Sequence, residues 1–406
     1  MNKTDSASTP TPVSVSRREV LKSAWQLGAI GAGGMALQAC GSSQAAQLDP
    51  AASSSAAAAS GSSGNFRIDV HCHLIPDFYR LSLAVHGIVT AGGIPIPPWS
   101  PALAVGFMDE YGIQTQVLSV SEPGVYYLAT AAERQAMATQ INDYMTHTLI
   151  NSADPLLKGR FGGFAVLPLG DLNDPGDVAN ACAEARRAIT ELKMDGIGVF
   201  SNYHGVYMGD PRFAPLFETL NELEAFVFLH PVTPSAVPPI PLLSSLTFLY
   251  EFPFDTTRAA VNMLYNGVFD RYPKIRWLLA HAGGALPFLA NRISVLTIYP
   301  VLAQNLNIPS LYNQNLDLSK LYFDTALSPA PSAMESVKAV TDVSHILFAT
   351  DWPFSNLTFI VPGDPAPQLT ESFSSAELLQ VNRSNALAQL PTLRGRINTG
   401  QALQEA

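Results

Sequence analysis

His71 and His73 stand two residues apart in the run Ile68-Asp69-Val70-His71-Cys72-His73. Residues two apart on a strand face the same side, so both imidazoles can reach one ion, with zinc to nitrogen distances of about 2.0 Å. A bare His-x-His pair is a weak signal, but here an apolar strand start precedes it and Leu74-Ile75-Pro76 ends it. His230 closes the apolar run Phe226-Val227-Phe228-Leu229 and meets Pro231, which makes it the natural third nitrogen ligand. Asp351 ends a further run, Phe348-Ala349-Thr350. A carboxylate there can bind the ion and exchange a proton with water or substrate, its plainer alternative being the cap of a following helix. His281 opens onto Ala282-Gly283-Gly284, where absent side chains leave room for a ligand to approach the backbone. It could bind a second metal or act as a general acid–base group beside the first. No lysine at a strand end is placed to bridge two ions after carboxylation, so one metal with an acid–base His281 is the simpler account.

These side chains must be delivered by strands that end on one rim. Strand candidates are Phe66 to Val70, Gln116 to Val120, Phe164 to Leu167, Gly196 to Phe200, Ala225 to Leu229, Ile275 to Ala280, Leu321 to Phe323 and Ile346 to Ala349. Helix-period segments alternate with them: Ala131 to Leu149, Gly176 to Lys193, Pro211 to Glu224, Thr256 to Asp270, Pro287 to Leu296 and Ser332 to Val340. A doubly wound sheet would give similar alternation. Ligands at the ends of the first, fifth, sixth and eighth strands decide for an α/β (β/α)8 TIM barrel, whose parallel strands present their C-terminal residues at one mouth. Cys72, between two inward histidines, should turn outward toward the helices.

The chain's 406 residues can bury a large core, and an α/β barrel of this size forms one domain. A formal charge of -10 and the lack of any Lys/Arg run argue against a nucleic acid partner. Only 14% of residues are charged and 47% are hydrophobic, as suits strands covered on both faces and also a subunit interface. The barrel domain is expected over 65–395, with 396–406 a C-terminal tail. Residues 1–39 carry Ser16-Arg17-Arg18-Glu19-Val20-Leu21-Lys22 and a short apolar run from Ala24 to Ala39. This resembles a Tat export signal and is too short for a comfortable membrane span. Its end, Leu37-Gln38-Ala39-Cys40, is similar to a bacterial lipobox, so a lipid anchor through Cys40 and a periplasmic or membrane-anchored location are expected. The Ala/Ser/Gly-rich stretch 40–64 reads as a tether. Cys72 and Cys182 have neither metal nor redox spacing.

Together, Ile68-Asp69-Val70-His71-Cys72-His73, Leu229-His230-Pro231, His281-Ala282-Gly283-Gly284-Ala285-Leu286-Pro287-Phe288 and Thr350-Asp351-Trp352-Pro353-Phe354 resemble the amidohydrolase superfamily in its aminocarboxymuconate semialdehyde decarboxylase-like branch. Phe252-Pro253-Phe254-Asp255-Thr256-Thr257-Arg258 and Tyr322-Phe323-Asp324-Thr325-Ala326 are similar to the 6-methylsalicylate decarboxylase-type members. The resemblance implies a nonoxidative decarboxylase with zinc, sometimes manganese, commonly a homodimer or tetramer. Position by position it implies that His71, His73, His230 and Asp351 bind metal, that His281 handles water or a proton, and that Arg292 serves a substrate carboxylate. Hydrolases share this branch and its motifs. An export leader is also unlike the cytoplasmic decarboxylases.

The segment from Pro231 to Pro253, with Pro234, Pro238, Pro239 and Pro241 alongside Phe248 and Tyr250, is too long for a simple connection and suits a stiff cover over the mouth. Phe78, Tyr79, Trp99, Trp352 and Phe354 follow ligand-bearing strands and favour a flat apolar or aromatic carboxylic acid, with Phe78 and Trp352 assigned to substrate. Arg258 either serves that acid or braces Asp255. Decarboxylation is the first expectation, hydrolysis of a lactone or amide on the same site the second, and a noncatalytic tethered binding protein the third.

Overall fold

The computed structural model of the chain describes residues 66–236, 246–294, 318–355 and 364–402, all within the compact unit Ser63–Ala406. The leader, the tether with Cys40, and Pro238, Pro239 and Pro241 lie outside the described residues. Eight strands form one sheet: β1 (Arg67–His73), β2 (Ile113–Ser119), β3 (Phe161–Val166), β4 (Gly196–Phe200), β5 (Phe226–His230), β6 (Arg276–Leu279), β7 (Tyr322–Asp324) and β8 (Ile346–Leu347). Each pairs in parallel with its successor in the chain. The seam closes through residues just past β8. Val70 N donates to Phe348 O at 3.1 Å, Asp351 N to His71 O at 2.7 Å, and His73 N to Trp352 O at 2.7 Å. The expected strands are all present, with ends within a few residues of those read from sequence, and the fold is the (β/α)8 barrel.

Alternation sorts the strand residues into two cores. Phe226 and Phe228 of β5 join Val117, Phe164, Leu278 and Leu347 inside the barrel, while Val227 and Leu229 face the helices. Each fully buried Phe inside contributes about 1.5–3 kcal/mol of transfer free energy. The helical layer includes α1 (Asp77–Val85), α2 (Pro101–Glu110), α3 (Ala131–Asp143), α4 (Pro175–Thr190), α5 (Ala214–Glu222), α6 (Glu251–Tyr265), α7 (Leu286–Ile293), α8 (Pro331–Lys338) and, near the C-terminus, α9 (Pro391–Ala402). Their starts are written in the sequence. Thr130 and Glu133 form a reciprocal capping box at α3. Ser100 with Pro101 opens α2, and Asp174 with Pro175 opens α4. Where one helix was expected from Ala131 to Leu149, α3 passes into a π-helical turn, Tyr144–Ile150.

The boundary expected at 395 is corrected by α9. The helix runs through it, Leu390, Leu393 and Ile397 join the inner core, and Arg396 donates to buried Asp195 at 2.6 Å. A segment that reads as a polar tail therefore packs against the barrel, because every third or fourth residue from 390 is apolar. Among the described residues no helix is long and apolar enough to cross a membrane.

Candidate metal centre

β1 does not alternate simply. Ile68 and Val70 belong to the inner core, yet His71 also points inward, packing edge-on against Phe228 at 4.8 Å between centroids. A register slip against β2 between Asp69 and Cys72 absorbs the extra residue, as a β-bulge does. The bulge removes a ladder partner from the His71 N–H, and Asp69 Oδ1 accepts it at 3.2 Å. Asp69 also accepts from Thr350 Oγ1 at 2.7 Å and Gln116 Nε2 at 3.2 Å, tying β1, β2 and the turn after β8 together. Burial nevertheless pushes its carboxyl up to about 7. Beyond the bulge, Cys72 faces the helical layer as expected, and His73 again points inward.

His71, His73, His230 and Asp351 each present one ligand atom, all within 4.8 Å of one another and all buried. The second nitrogen of each imidazole is already committed. His71 Nδ1 donates to Asp324 Oδ2 at 2.7 Å. His230 Nδ1 donates to Pro231 O at 2.7 Å. Ser119 Oγ spends its proton on Cys72 O, leaving a lone pair 3.1 Å from His73 Nδ1. Once His71 gives up the extra proton that it holds without metal, all three rings are the Nδ1–H tautomer with the Nε2 lone pair turned to the centre, the arrangement that metal-ligating histidines need. His71 Nε2 and His73 Nε2 lie 3.1 Å apart, and Asp351 Oδ1 is 2.9 Å from His73 Nε2. Two lone pairs at that separation beside a carboxylate fit a divalent cation between them. The electrostatics agree: burial would depress His71, but Asp324 and then Asp351 hold it up at about 10, the mark of a field that favours positive charge. Burial depresses His73, and it depresses His230 strongly, with His73 and His71 adding to the effect. Asp351 is held well below the usual carboxylate range; burial opposes this, and His71 with the hydrogen bonds from His281 and His71 overcomes it.

His281 is brought to the same centre without belonging to the ligand set. Its Nε2 lies 3.4 Å from Asp351 Oδ2, and its buried Nδ1 has no hydrogen-bond partner among the described residues. Its backbone N–H donates to Asp324 Oδ1 at 2.8 Å. His281, Ala282 and Asp351 all adopt positive φ, at 54°, 58° and 63°. Such residues cost of order 1–3 kcal/mol each and persist where the surroundings over-determine them. The glycines after His281 were expected from sequence to let a ligand approach; the structure fills that space with protein. A Cβ on Gly283 would meet Phe323 at 2.7 Å, and one on Gly284 (φ +64°) would overlap the Pro253 carbonyl, so Gly283 lets Phe323 of β7 and Gly284 lets α6 pack against this turn.

A cleft opens beside Asp351 and His230, walled by Ala91, Ile94, Phe248, Phe252, Leu327 and Phe354. Phe248, Phe252 and Phe354 are the aromatic side chains among its walls. Phe78 and Trp352 do not line it: Phe78 packs on Tyr144, and Trp352 stacks on Phe107 of α2 at 5.3 Å. Strand-end position could not say which of two neighbouring aromatics turns inward. Arg292 is exposed in the last turn of α7 and is not among the lining residues. Arg258 pairs with Glu251 at 3.3 Å and approaches Asp255 at 3.8 Å, the bracing alternative. Asp324 and Ser119, which orient His71 and His73, were given no role from sequence. The signal for Asp324 was present, a carboxylate at the end of a barrel strand; nothing marked Ser119.

A parallel eight-stranded barrel with a His-x-His, a third histidine and an aspartate converging at its C-terminal mouth defines a metal-dependent barrel enzyme. The chain belongs to the amidohydrolase family, whose model matches residues 68–391. Decarboxylase yanB of Aspergillus niger is 31% identical over 314 residues, covering 72% of this chain and 79% of that protein. The 6-methylsalicylic acid decarboxylase of Penicillium expansum is 29% identical over 341 residues, covering 81% and 97%. Among solved structures, 5-carboxyvanillate decarboxylase of Novosphingobium aromaticivorans, complexed with manganese and 4-hydroxy-3-methoxy-5-nitrobenzoic acid, superposes with a TM-score of 0.65 at 20% identity, covering 81% and 96%.

Proposed function

We propose that this enzyme is a metal-dependent nonoxidative decarboxylase of a small aromatic or unsaturated carboxylic acid of the salicylate type. The observation that carries the reading is the convergence of three tautomer-fixed imidazoles and Asp351 on one point beside an apolar, aromatic-walled pocket. The decarboxylases among the relatives support it. His71, His73, His230 and Asp351 would hold the ion; neutral imidazoles with one carboxylate suit Zn2+, with Mn2+ the alternative. Such a cation supplies Lewis-acid polarisation and orientation of a substrate oxygen.

The chain's own groups do the rest. Phe248, Phe252 and Phe354 accept a flat ring and keep water from it. Asp351 and His281 lie 3.4 Å apart, close enough for a proton to be relayed through His281 to Asp351, which delivers it to the ring carbon bearing the carboxylate. The bond from that carbon to the carboxylate then breaks, its electron pair restores the ring, and carbon dioxide leaves without forming a free aryl anion. Among the described residues no Arg or Lys lines the pocket, so a cation held by His71, His73, His230 and Asp351 would be the positive group that meets the acid there. Purified enzyme reconstituted with Zn2+ or Mn2+ should convert salicylate-type acids to the phenol with release of carbon dioxide. Hydrolysis of a lactone or amide with no carbon dioxide from any such acid would refute the assignment in favour of a hydrolase.

Arg17 and Arg18 followed by an apolar run ending at Cys40 support export by the Tat route and anchoring through lipid on Cys40. The apolar composition supports a homodimer or tetramer.

A further inference from the structure

Glu122 lies outside the ligand set, yet the pocket walls meet on it. Its Oε2 accepts the Thr233 N–H at 2.9 Å and the Thr233 hydroxyl at 3.0 Å. Because Thr233 spends its hydroxyl proton on Glu122, the 2.8 Å contact between the two threonine hydroxyls is a bond donated by Thr247. The Gly92 N–H also donates to the Glu122 carboxylate, and Gly92 O accepts from Phe248 N at 3.1 Å. One carboxylate thus gathers three separate pieces of chain. These are the turn after β2 that carries Ser121, the hairpin that carries Ala91 and Ile94, and the stretch from Thr247 that carries Phe248 and Phe252. Ser121, Ala91, Ile94, Phe248 and Phe252 all line the pocket beside Asp351. At Gly92 the packing against Phe248 and Phe252 leaves no room for even a Cβ, which would come within 2.9 Å of both.

We propose that Glu122 is a positioning residue that sets substrate specificity by holding the aromatic wall of the pocket at a fixed distance from the metal centre, and so fixes which ring substituents fit. It accepts three N–H or O–H donors and donates nothing, a job for a carboxylate that glutamine can do only in part. One amide oxygen can still take both Thr233 donors, while the amide N–H2 adds a donor where acceptors are needed. The metal ligands are held by other partners, so loss of Glu122 should leave metal content unchanged.

This inference rests on the aromatic acid reading, and the test separates the two. Salicylate and 6-methylsalicylate are titrated calorimetrically into zinc-loaded full-length protein, and kcat and KM are measured for both acids, with wild type, E122Q, E122A and T233V. Expected are tenfold or greater weakening of binding and rise of KM in E122A and about threefold in E122Q and T233V. With this should come kcat within threefold, equal zinc content, and a ratio of affinities for the two acids that moves toward one. If E122A does not fold, E122Q and T233V carry the test. Variants that match wild type in affinity and in the ratio overturn the role of Glu122. So do variants whose kcat falls at unchanged KM, or that lose zinc. Wild-type protein that binds neither acid overturns the substrate reading itself, and the role of Glu122 with it.

Discussion

Replacing Asp324 by Asn should weaken metal binding 10- to 100-fold without removing a ligand. Asp324 serves three donors: Oδ2 takes His71 Nδ1–H at 2.7 Å, and Oδ1 takes the backbone N–H groups of His281 and Ala326 at 2.8 and 3.0 Å. Asparagine has one acceptor oxygen. If that oxygen stays with the two backbone donors, the amide N–H2 faces His71 Nδ1 and forces the ring into the other tautomer, placing a proton on the nitrogen that should bind the ion. If the amide flips, His71 is kept and the backbone N–H groups of His281 and Ala326 both lose their acceptor in a fully buried place. Either way one set of partners is lost. Loss of the outer partner of a ligating histidine typically costs 10- to 100-fold in affinity, or about 1.4–2.7 kcal/mol. Competition with a chelator at fixed pH measures the dissociation constants of wild type and variant, and activity lost at limiting metal should return in part at excess metal. A D324N protein with wild-type metal affinity and activity would refute the claim that this carboxylate fixes the His71 tautomer.

Asp351→Asn, which also removes the one carboxylate ligand, should at saturating metal lower kcat by about 10²–10⁴, the range for removing a positioned proton-transfer group; a fully metallated variant with near-wild-type turnover would exclude Asp351 as the proton carrier. At pH 7 and without metal, His73 and His230 are depressed and neutral, Asp351 is ionised, and of the four ligands only His71, held at about 10, carries a second ring proton. Metal binding should therefore release about one proton, seen as a buffer-dependent heat in calorimetry, and no buffer dependence would contradict the assignment. The same raised value makes the His71 contribution to stability complete below about 6.5 and lost as pH rises toward about 10. Chelated protein should accordingly melt at lower temperature as pH climbs through that window, and metal-loaded protein should not share that trend. Gly284→Ala should destabilise by about 2 kcal/mol or more, since it combines a left-handed φ with overlap on the Pro253 carbonyl, and thermal unfolding would show it. Cys40→Ser should move the protein from the membrane to the soluble periplasmic fraction; membrane association that survives the change would rule out the lipid anchor.

The ligand set was legible because each member ends an apolar run, and a parallel barrel delivers such residues to one rim. His71, His73, His230 and Asp351 needed no knowledge of how the chain bends locally. What stayed hidden depends on pairings between residues far apart in the chain. Asp324 orients His71 across 253 positions, and Ser119 meets His73 only because β2 lies beside β1. The β1 bulge was likewise unreadable, since strict alternation would have sent either Val70 or His71 outward. Gly283 and Gly284 were assigned to a ligand because glycine marks any close approach, whether by substrate or, as here, by Phe323 and by α6. Trp352 and Phe354 look equivalent in sequence, and side-chain direction after a tight turn decided between them. The tail after 395 was misjudged for want of a partner, which proved to be Asp195 and the barrel floor.

Asp351 N–H donates to the His71 carbonyl, so the first and last ligands are joined through the backbone at the place where the cylinder shuts. A ribosome that has released the first seven strands has made three of the four donors and still has no binding site, because the fourth arrives with the stave that locks the ring. Metal acquisition is thus an all-or-nothing event that follows synthesis of nearly the whole polypeptide, and a bound ion would rivet the join from inside. Fragments truncated before residue 351 should bind the cation no better than an unstructured peptide carrying the same histidines.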